Sequence, residues 1–542
     1  MDHTPLWYKD AVFYELYVRA FRDSNGDGHG DLRGVIEKLD YLQDLGINCI
    51  WLLPVFLSPL LDDGYDVADF RSIHPDYGTL DDFKELILQA HKRSIRVITD
   101  LVLNHTAAAH PWFQEARKDP QSKYRNYYVW SDTDEKYPGA RIIFLDTETS
   151  NWAWDEKAGQ YYWHRFFSSQ PDLNFDNPEV QQEMLDIMKF WLDLGIDGFR
   201  VDAIPYLFER DGTNCENLPE THEYLKRVRK FFDKYSKQGV LLSEANQWPE
   251  KVREYFGDGD EMHMAFHFPV MPRIFMSLRR ESSNPLRRIL KRTPDIPEGN
   301  QWCTFLRNHD ELTLEMVTEA ERQWMWREYA PDERMRLNLG IRRRLAPLLE
   351  NDFNKIMLAN SLLFTLPGSP IVYYGDEIGL GDDIQLDDRN GVRTPMQWDE
   401  GKHAGFSDAE QVFSPVINSA PYSPEEVNVS DQTANIGSMY YMIKNMIAVR
   451  KLNRAFGWGD FSWAEVNDPR RIAAYYRSYK GEKLLILNNL RSKPKRVEIR
   501  LNGDDLFFPP PDLFSGQATG ELLDGVLHLT LPPLGYRWLK IS

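Results

Sequence analysis

Cysteine is scarce in this 542-residue chain: Cys49, Cys215 and Cys303 form an odd, widely spaced set. Two of them lie inside apolar strand-like runs, so buried free thiols are expected and no disulfide framework is implied. Positive charge is short as well, with 64 Lys plus Arg against 83 Asp plus Glu, a net −19. That balance argues against nucleic acid and anionic membrane as partners and suits a neutral ligand. No apolar run approaches the length of a membrane span, and the opening MDHTPLWYKD lacks a basic region followed by an apolar stretch. A cytoplasmic location is the expectation. Internal repeats and low-complexity tracts are lacking too, and 42% hydrophobic with 27% charged residues is the balance of a folded globular protein.

What is present is an alternation of strand and helix signals. AVFYELYVRAF (11–21) precedes the helical pattern GVIEKLDYLQDLG, and NCIWLLPV (48–55) precedes, after an insertion, TLDDFKELILQAHKRS, where Leu80, Phe83, Leu86, Ile87 and Ala90 recur at helical spacing. RVITDLVLN (96–104) is a third strand. Residues 105–175 are aromatic-rich and irregular and read as an inserted domain. EVQQEMLDIMKFWLDLG then puts Val180, Met184, Ile187, Met188 and Trp191 on one helix face and ends at Gly195. GFRVDA, VLLSEA, MHMAFHF, QWCTFLRN and SPIVYYGDEIG (369–379) complete eight strands. The pattern predicts a (β/α)8 barrel, residues 1–104 and 176–457, with an inserted domain after strand three and a helical excursion at 318–352. Short alternating strands such as VEIRL (497–501) and VLHLTL (526–531) make 458–542 a C-terminal antiparallel β-sandwich.

Four apolar runs end abruptly in polar groups: DLVLNH (100–105), GFRVDA (198–203), LLSEAN (241–246) and FLRNHD (305–310). In one parallel barrel these ends gather at the C-terminal rim, where barrel enzymes keep their chemistry. Asp202, Glu244 and Asp310 close three of the strands. Breaking a glycosidic bond with retention needs two carboxyl groups about 5–5.5 Å apart, roughly the gap between neighbouring strand ends. A single such Asp could equally be a helix cap or a structural acceptor.

The four segments and their surroundings resemble the α-amylase superfamily of retaining glycoside hydrolases and transglycosylases, from about Trp7 into the C-terminal sandwich. The resemblance implies Asp202 as nucleophile, Glu244 as general acid/base and Asp310 as the carboxylate that grips sugar hydroxyls and stabilises the transition state. Arg200, two residues before Asp202 and so on its face of the strand, would keep Asp202 ionised, while Glu244 must start protonated in a drier or more anionic setting. By the same resemblance His105 and His309 hydrogen-bond the glucosyl unit, Asp62 of LDDGYDVADF clamps its hydroxyls, Tyr65 is a stacking platform and Gln170 lies near the substrate. Asp63 is an alternative to Asp62.

DSNGDGHGD (23–31) places oxygen ligands on alternate residues with glycines for a tight turn, the chemistry of a calcium loop. Asp23, Asn25, Asp27, the His29 carbonyl and Asp31 are the natural ligands, and the loop resembles the calcium site of the oligo-1,6-glucosidase branch; a metal-free turn is the alternative. Resemblance alone suggests a second structural Ca2+ site from Asn104, Asp172, the Tyr206 and Leu207 carbonyls and Glu209, with an ordinary hydrogen-bond network as its alternative. No organic cofactor is implied.

QPDLNFDNPEV (170–180) is similar to the segment typical of enzymes acting on α-glucosyl disaccharides and short oligosaccharides, and DRNGVRTPMQW (388–398) narrows the match. LRNHDELTLEMV (306–317), with ELYVRAF and PLLDDGYDVADF, looks like the trehalose synthase branch, whose enzymes interconvert maltose and trehalose. That branch implies isomerisation by intramolecular glucosyl transfer through a glucosyl-aspartate, with minor hydrolysis. The released glucose must stay, turn over and attack before water does. Asn246, Tyr206, Arg389 and the Glu311/Glu315 pair are the acceptor-side candidates, Arg389 as a gate or as a mere balance for Asp387 and Asp388. The alternatives are an α-glucosidase or oligo-1,6-glucosidase hydrolysing short α-glucosides, and a catalytically silent binding relative that the retained carboxylates disfavour. A homo-oligomer and a maltokinase partner are further implications of the resemblance.

Overall fold

The computed structural model describes residues 6–501 and 508–542; residues 1–5, on which the reading of the opening segment partly rests, lie outside them. The eight apolar runs supply the strands β1 (Phe13–Leu16), β2 (Cys49–Leu52), β3 (Arg96–Val102), β4 (Gly198–Asp202), β5 (Val240–Ser243), β6 (Met264–Phe266), β7 (Gln301–Phe305) and β8 (Ser369–Tyr373). Each pairs in parallel with its neighbours and β8 closes on β1, so the expected barrel forms with no free edge. All three cysteines are free and buried, Cys49 and Cys303 within β2 and β7.

Register decides which side chains meet. Asp100 of β3 lies beside Arg200 of β4, and the strand pleat puts Asp202 on the same face as Arg200 but one step nearer the rim. Ser243 pairs with Val201, so Glu244, the next residue, leaves β5 beside the end of β4. Chemistry is thereby brought to one end of the barrel.

Outside the barrel, local signals explain the helices. Thr79 and Asp82 form a reciprocal capping box that starts Leu80–Lys92, whose buried face is Phe83, Leu86, Ile87 and Ala90. Asn177 caps Pro178–Asp193, and the anticipated stripe of Val180, Met184, Ile187, Met188 and Trp191 is buried. Each such side chain contributes about 1.5–3 kcal/mol, so a charge at Met184 would undock the helix. The chain turns at Gly195, whose φ of +102° a side chain would strain.

Two local expectations are corrected. The run 11–21 is not one strand: β1 ends at Leu16 and Val18–Phe21 is helical, because Arg19 and Arg22 turn their carbonyls to the N–H groups of Gly30 and Asp31 in the following loop. GVIEKLDYLQDLG makes two short helices, Leu32–Glu37 and Leu39–Leu45, that meet at Lys38.

Between β3 and β4 the inserted segment carries a small sheet of Trp130–Ser131, Gln160–Trp163 and Trp152–Asp155 on an aromatic cluster that includes Phe113, Trp130 and Tyr162. After β7 the chain makes a hairpin-like excursion through Leu312–Thr313, Arg336–Leu337 and Gly340–Ile341, with the helix Glu319–Tyr329 between them. Past the barrel, a four-stranded and a three-stranded antiparallel sheet enclose a separate core of Ile472, Leu485, Val497 and Leu527, the anticipated sandwich.

Candidate active site

One guanidinium organises the rim. Arg200, 2% exposed, donates from Nη1 to Asp202 and to Asp100 Oδ1 (2.6 Å), and its Nη2 forms an ion pair with Glu244 Oε1 (2.7 Å). Asp100 is held in turn by Trp51 Nε1 (2.7 Å) and the Tyr65 hydroxyl (3.2 Å). Adjacent nitrogens of one planar group contact both Asp202 and Glu244, which brings the two carboxyls side by side at the strand ends, an arrangement compatible with a retaining pair.

Their environments push them apart in acidity. Burial lifts Asp202 to about 6 against the pull of Arg200. Burial lifts Glu244 further, to about 8, where Arg200 opposes and the charges of Asp202 and Asp310 assist. Near pH 7 the first is a carboxylate and the second an acid, the division of roles that glycosyl transfer requires. Ala203, between them in sequence, has a left-handed φ of +50° and directs its N–H to Glu244 Oε2 (3.3 Å). A non-glycine residue there costs about 1–3 kcal/mol, and the strain falls where the acid is positioned.

Asp310 lies across the cavity. Burial would raise it, but His309, Arg389, Arg393 and Arg200 hold it well below the ordinary carboxylate range. Arg389 donates to Asp310 Oδ1 (2.9 Å) and to Asp62 Oδ1 (2.6 Å), while Gln170 Nε2 donates to Asp62 Oδ2 (2.8 Å). Asp62 therefore faces the site, whereas Asp63 is turned to Arg393 and the Tyr17 hydroxyl. Tyr65 stacks on His309 at 5.4 Å and 7°, and burial lowers His105, which also lines the wall, to about 3, leaving it neutral.

The cavity these groups enclose measures about 130 Å³, well below the roughly 300–1,000 Å³ of an ordinary ligand cleft. The inserted segment covers part of its mouth. Ile143 and Phe144 form part of the wall, and Arg141 donates to Glu216 (2.8 Å), Glu315 (2.8 Å) and the Tyr206 hydroxyl (3.1 Å). Arg165 and Gln247 also donate to Glu216, at 3.1 and 2.9 Å. Asn338 of the excursion bonds the Asp146 carboxylate (2.7 Å) and Glu311 (3.3 Å). Asn246 donates to Thr313 (3.1 Å) and leaves its buried Oδ1 without a partner. Arg389 is 5% exposed, with its guanidinium 5.4 Å from the Phe144 ring, which makes it part of the packed wall.

Every catalytic and substrate-contact candidate from the sequence, including Arg200, Tyr206, Asn246 and Arg389, lines this one cavity or, for Gln170, bonds a residue that does. The sequence reading missed Arg141, Arg165, Glu216 and Arg393. Each is a loop residue whose partners are distant in the chain; a basic residue facing acidic ones across the insertion was the only available signal.

The calcium candidates lie elsewhere. Asp23 accepts the N–H groups of Asn25, Gly26 and Gly28 and the Ser407 hydroxyl, and Asp31 accepts Ser24 and Gly34 as the cap of Leu32–Glu37. Asn25 and Asp27 accept the N–H two residues on, and His29 Nδ1 accepts from Arg19. The loop's two buried carboxylates are thus saturated by hydrogen bonds, which fits a cation poorly. Asp172 and Glu209 fit one better: Asp172 Oδ2 and Glu209 Oε1 are buried with no partner. Burial raises Asp172 to about 8 and Glu209 well above its ordinary value, and the charge of Asp172 adds to the rise at Glu209. Among the described residues no three acidic, histidine or cysteine side chains form a group that could hold a metal ion, so any hard cation at Asp172 and Glu209 would also draw on amide and carbonyl oxygens such as those of Asn104, Tyr206 and Leu207.

Comparison with known proteins gives the same picture. The family model described as alpha amylase, catalytic domain, matches residues 15–339 and 341–459, and that of the maltogenic amylase C-terminal domain matches 462–538. The trehalose synthase/amylase TreS of Mycobacterium tuberculosis H37Rv is 55% identical over 99% of this chain and 91% of its own. The oligo-1,6-glucosidase of Bacillus cereus is 33% identical over 90% and 91%. A solved structure, the alpha-amylase of H. orenii, superposes with a TM-score of 0.80 at 30% identity, covering 98% of this chain and all of the other. With its closed barrel, its paired carboxyls on one arginine and these matches along nearly its whole length, the chain belongs to the α-amylase family.

Proposed function

We propose that the protein interconverts maltose and trehalose by retaining intramolecular glucosyl transfer. Glu244, protonated, gives its proton to the glycosidic oxygen as that bond breaks, and Asp202 forms the ester to the anomeric carbon. Asp310, Asp62 and His309 hold hydroxyls of the glucosyl unit while positive charge develops at the ring. The freed glucose turns over within the closed cavity; its anomeric hydroxyl returns a proton to Glu244 and attacks the ester, which expels Asp202. Two successive inversions at the anomeric carbon give retention, and water that enters instead gives glucose.

The observation that carries this reading is the single Arg200 guanidinium contacting both Asp202 and Glu244 in a narrow cavity whose wall residue Glu315 is tied to the inserted segment by Arg141. The narrow cavity favours transfer over hydrolysis because a glucose held beside the ester reacts at an effective concentration that can reach about 10⁵ M or more. The 55% identical trehalose synthase against the 33% identical glucosidase supports the same choice. Incubation with maltose and analysis of the sugars tests it. Trehalose should dominate; glucose as the main product would return the protein to the hydrolases.

A structural Ca2+ at Asp172 and Glu209 belongs to this proposal, supported by their unpartnered oxygens. There it would tie the inserted segment to the barrel by neutralising two buried acids, and it takes no part in bond cleavage. No helix of the described residues is long and apolar enough to cross a membrane. A cytoplasmic setting, a homo-oligomeric state and a maltokinase partner complete the reading by resemblance.

A further inference from the structure

Glu15 is a buried acid that the mechanism above does not use. It sits near the end of β1, 0% exposed, and its Oε1 meets two atoms of one residue: the backbone N–H of His309 at 3.0 Å and the His309 Nδ1 at 2.6 Å. On the far side of the ring, Nε2 lies 3.2 Å from Asp310 Oδ2. The imidazole is otherwise fixed by its stack on Tyr65 and an edge contact with Trp51 (5.8 Å, 81°).

The ring's protons follow from its partners. Arg389 and Arg393 both donate to Asp310 Oδ1, at 2.9 and 3.2 Å, so Asp310 is ionised and can only accept. Nε2 must therefore carry a hydrogen. Nδ1 then needs either a donor, if the ring is neutral, or an anionic acceptor, if it is charged. From the same oxygen, the backbone N–H needs an acceptor in both cases. A carboxyl group meets every one of these demands: as an acid it donates to Nδ1 and accepts the N–H, and as a carboxylate it accepts both. An amide of the same shape cannot. In the neutral ring that burial enforces, an amide oxygen at that point accepts both hydrogens, which draws the ring proton to Nδ1 and strips Nε2; an amide nitrogen there abandons the N–H.

We propose that Glu15 is a positioning residue that fixes His309 with its hydrogen on Nε2, so that the ring presents a donor to Asp310 and to the glucosyl unit in the cavity. The proposal rests on the reading of that cavity as the glucosyl site. Its chemistry is that of a carboxylate orienting an imidazole from behind, where the hydrogen bond at one nitrogen decides what the other offers.

The test pairs a spectroscopic with a kinetic measurement. Long-range ¹H–¹⁵N spectra of the full chain labelled at histidine, assigned with His309→Asn, should show His309 protonated at Nε2. Glu15→Gln, which conserves volume, should move the hydrogen to Nδ1 and lower kcat/KM for maltose on the order of 10²-fold, within the span that carboxylate partners of histidine control. Glu15→Asp, which keeps the carboxyl, should recover part of the loss and the original tautomer. Glu15→Gln that melts like the parent but leaves His309 protonated at Nε2 overturns the proposal, as does a parent protein protonated at Nδ1. If the parent protein fails to convert maltose, the functional reading falls while the spectra still decide the role of Glu15.

Discussion

Arg141 of the inserted segment and Glu315 of the excursion after β7 meet at 2.8 Å, joining two insertions from different barrel strands over the catalytic cavity. The same guanidinium reaches Glu216 and Tyr206, so the seal is a network and not an isolated surface pair. Arg141→Ala should open this roof and admit water to the glucosyl ester. The expected result is a severalfold rise in the glucose share of product with total maltose turnover reduced, read by chromatography of the sugars. An unchanged ratio of glucose to trehalose would remove Arg141 from the control of product.

Asp202→Asn should lower maltose conversion roughly 10⁴-fold or more, because an amide cannot form the ester. Glu244→Gln should spare activated substrates whose leaving group needs no proton while abolishing maltose cleavage. Comparing maltose with an α-glucosyl fluoride separates the two roles; equal losses on both substrates in Glu244→Gln would contradict its assignment as the acid.

The acidities of this pair set the pH dependence. Asp202, lifted by burial to about 6, must be ionised, so activity falls as pH drops through 6. Glu244, lifted by burial to about 8, must be protonated, so activity falls as pH rises through 8. A bell-shaped kcat/KM for maltose follows, belonging to the pair as a unit. A plateau extending beyond pH 9 would show that the alkaline limb is not Glu244.

Much of this was legible because barrel strands are written as apolar runs and their ends as polar letters. Asp202 and Glu244 betray themselves by closing such runs, and the helix Pro178–Asp193 by the spacing of Val180, Met184, Ile187, Met188 and Trp191. Glu15 broke its run in the same way, yet its partner is 294 positions away, a pairing that only barrel closure brings about. Arg141 was illegible for a related reason: loop residues carry no period, and its partners Glu216 and Glu315 lie 75 and 174 positions on. The split of 11–21 into strand and helix depended on a later loop offering its N–H groups, information that the segment itself does not hold.

Asp172 and Glu209 provide the sharpest test of the proposed calcium. Burial raises Asp172 to about 8 and raises Glu209 as well, so the folded chain holds protons that the unfolded chain releases at ordinary carboxylate values. Stability is therefore fully present below those ordinary values and is lost as pH climbs toward 8. A bound dication would offset this loss by supplying the charge the protons otherwise cancel. In excess chelator, the melting temperature should fall as pH rises from about 4 to 8; in excess Ca2+ it should fall much less. Asp172→Asn should flatten the chelator curve and weaken the response to Ca2+. The loop at Asp23 predicts no such dependence, since hydrogen bonds from Ser407 and three N–H groups outweigh burial and hold that carboxyl below its ordinary value. Identical melting curves with and without Ca2+ across the range would leave the two buried acids to share a proton and end the case for a metal beneath the inserted segment.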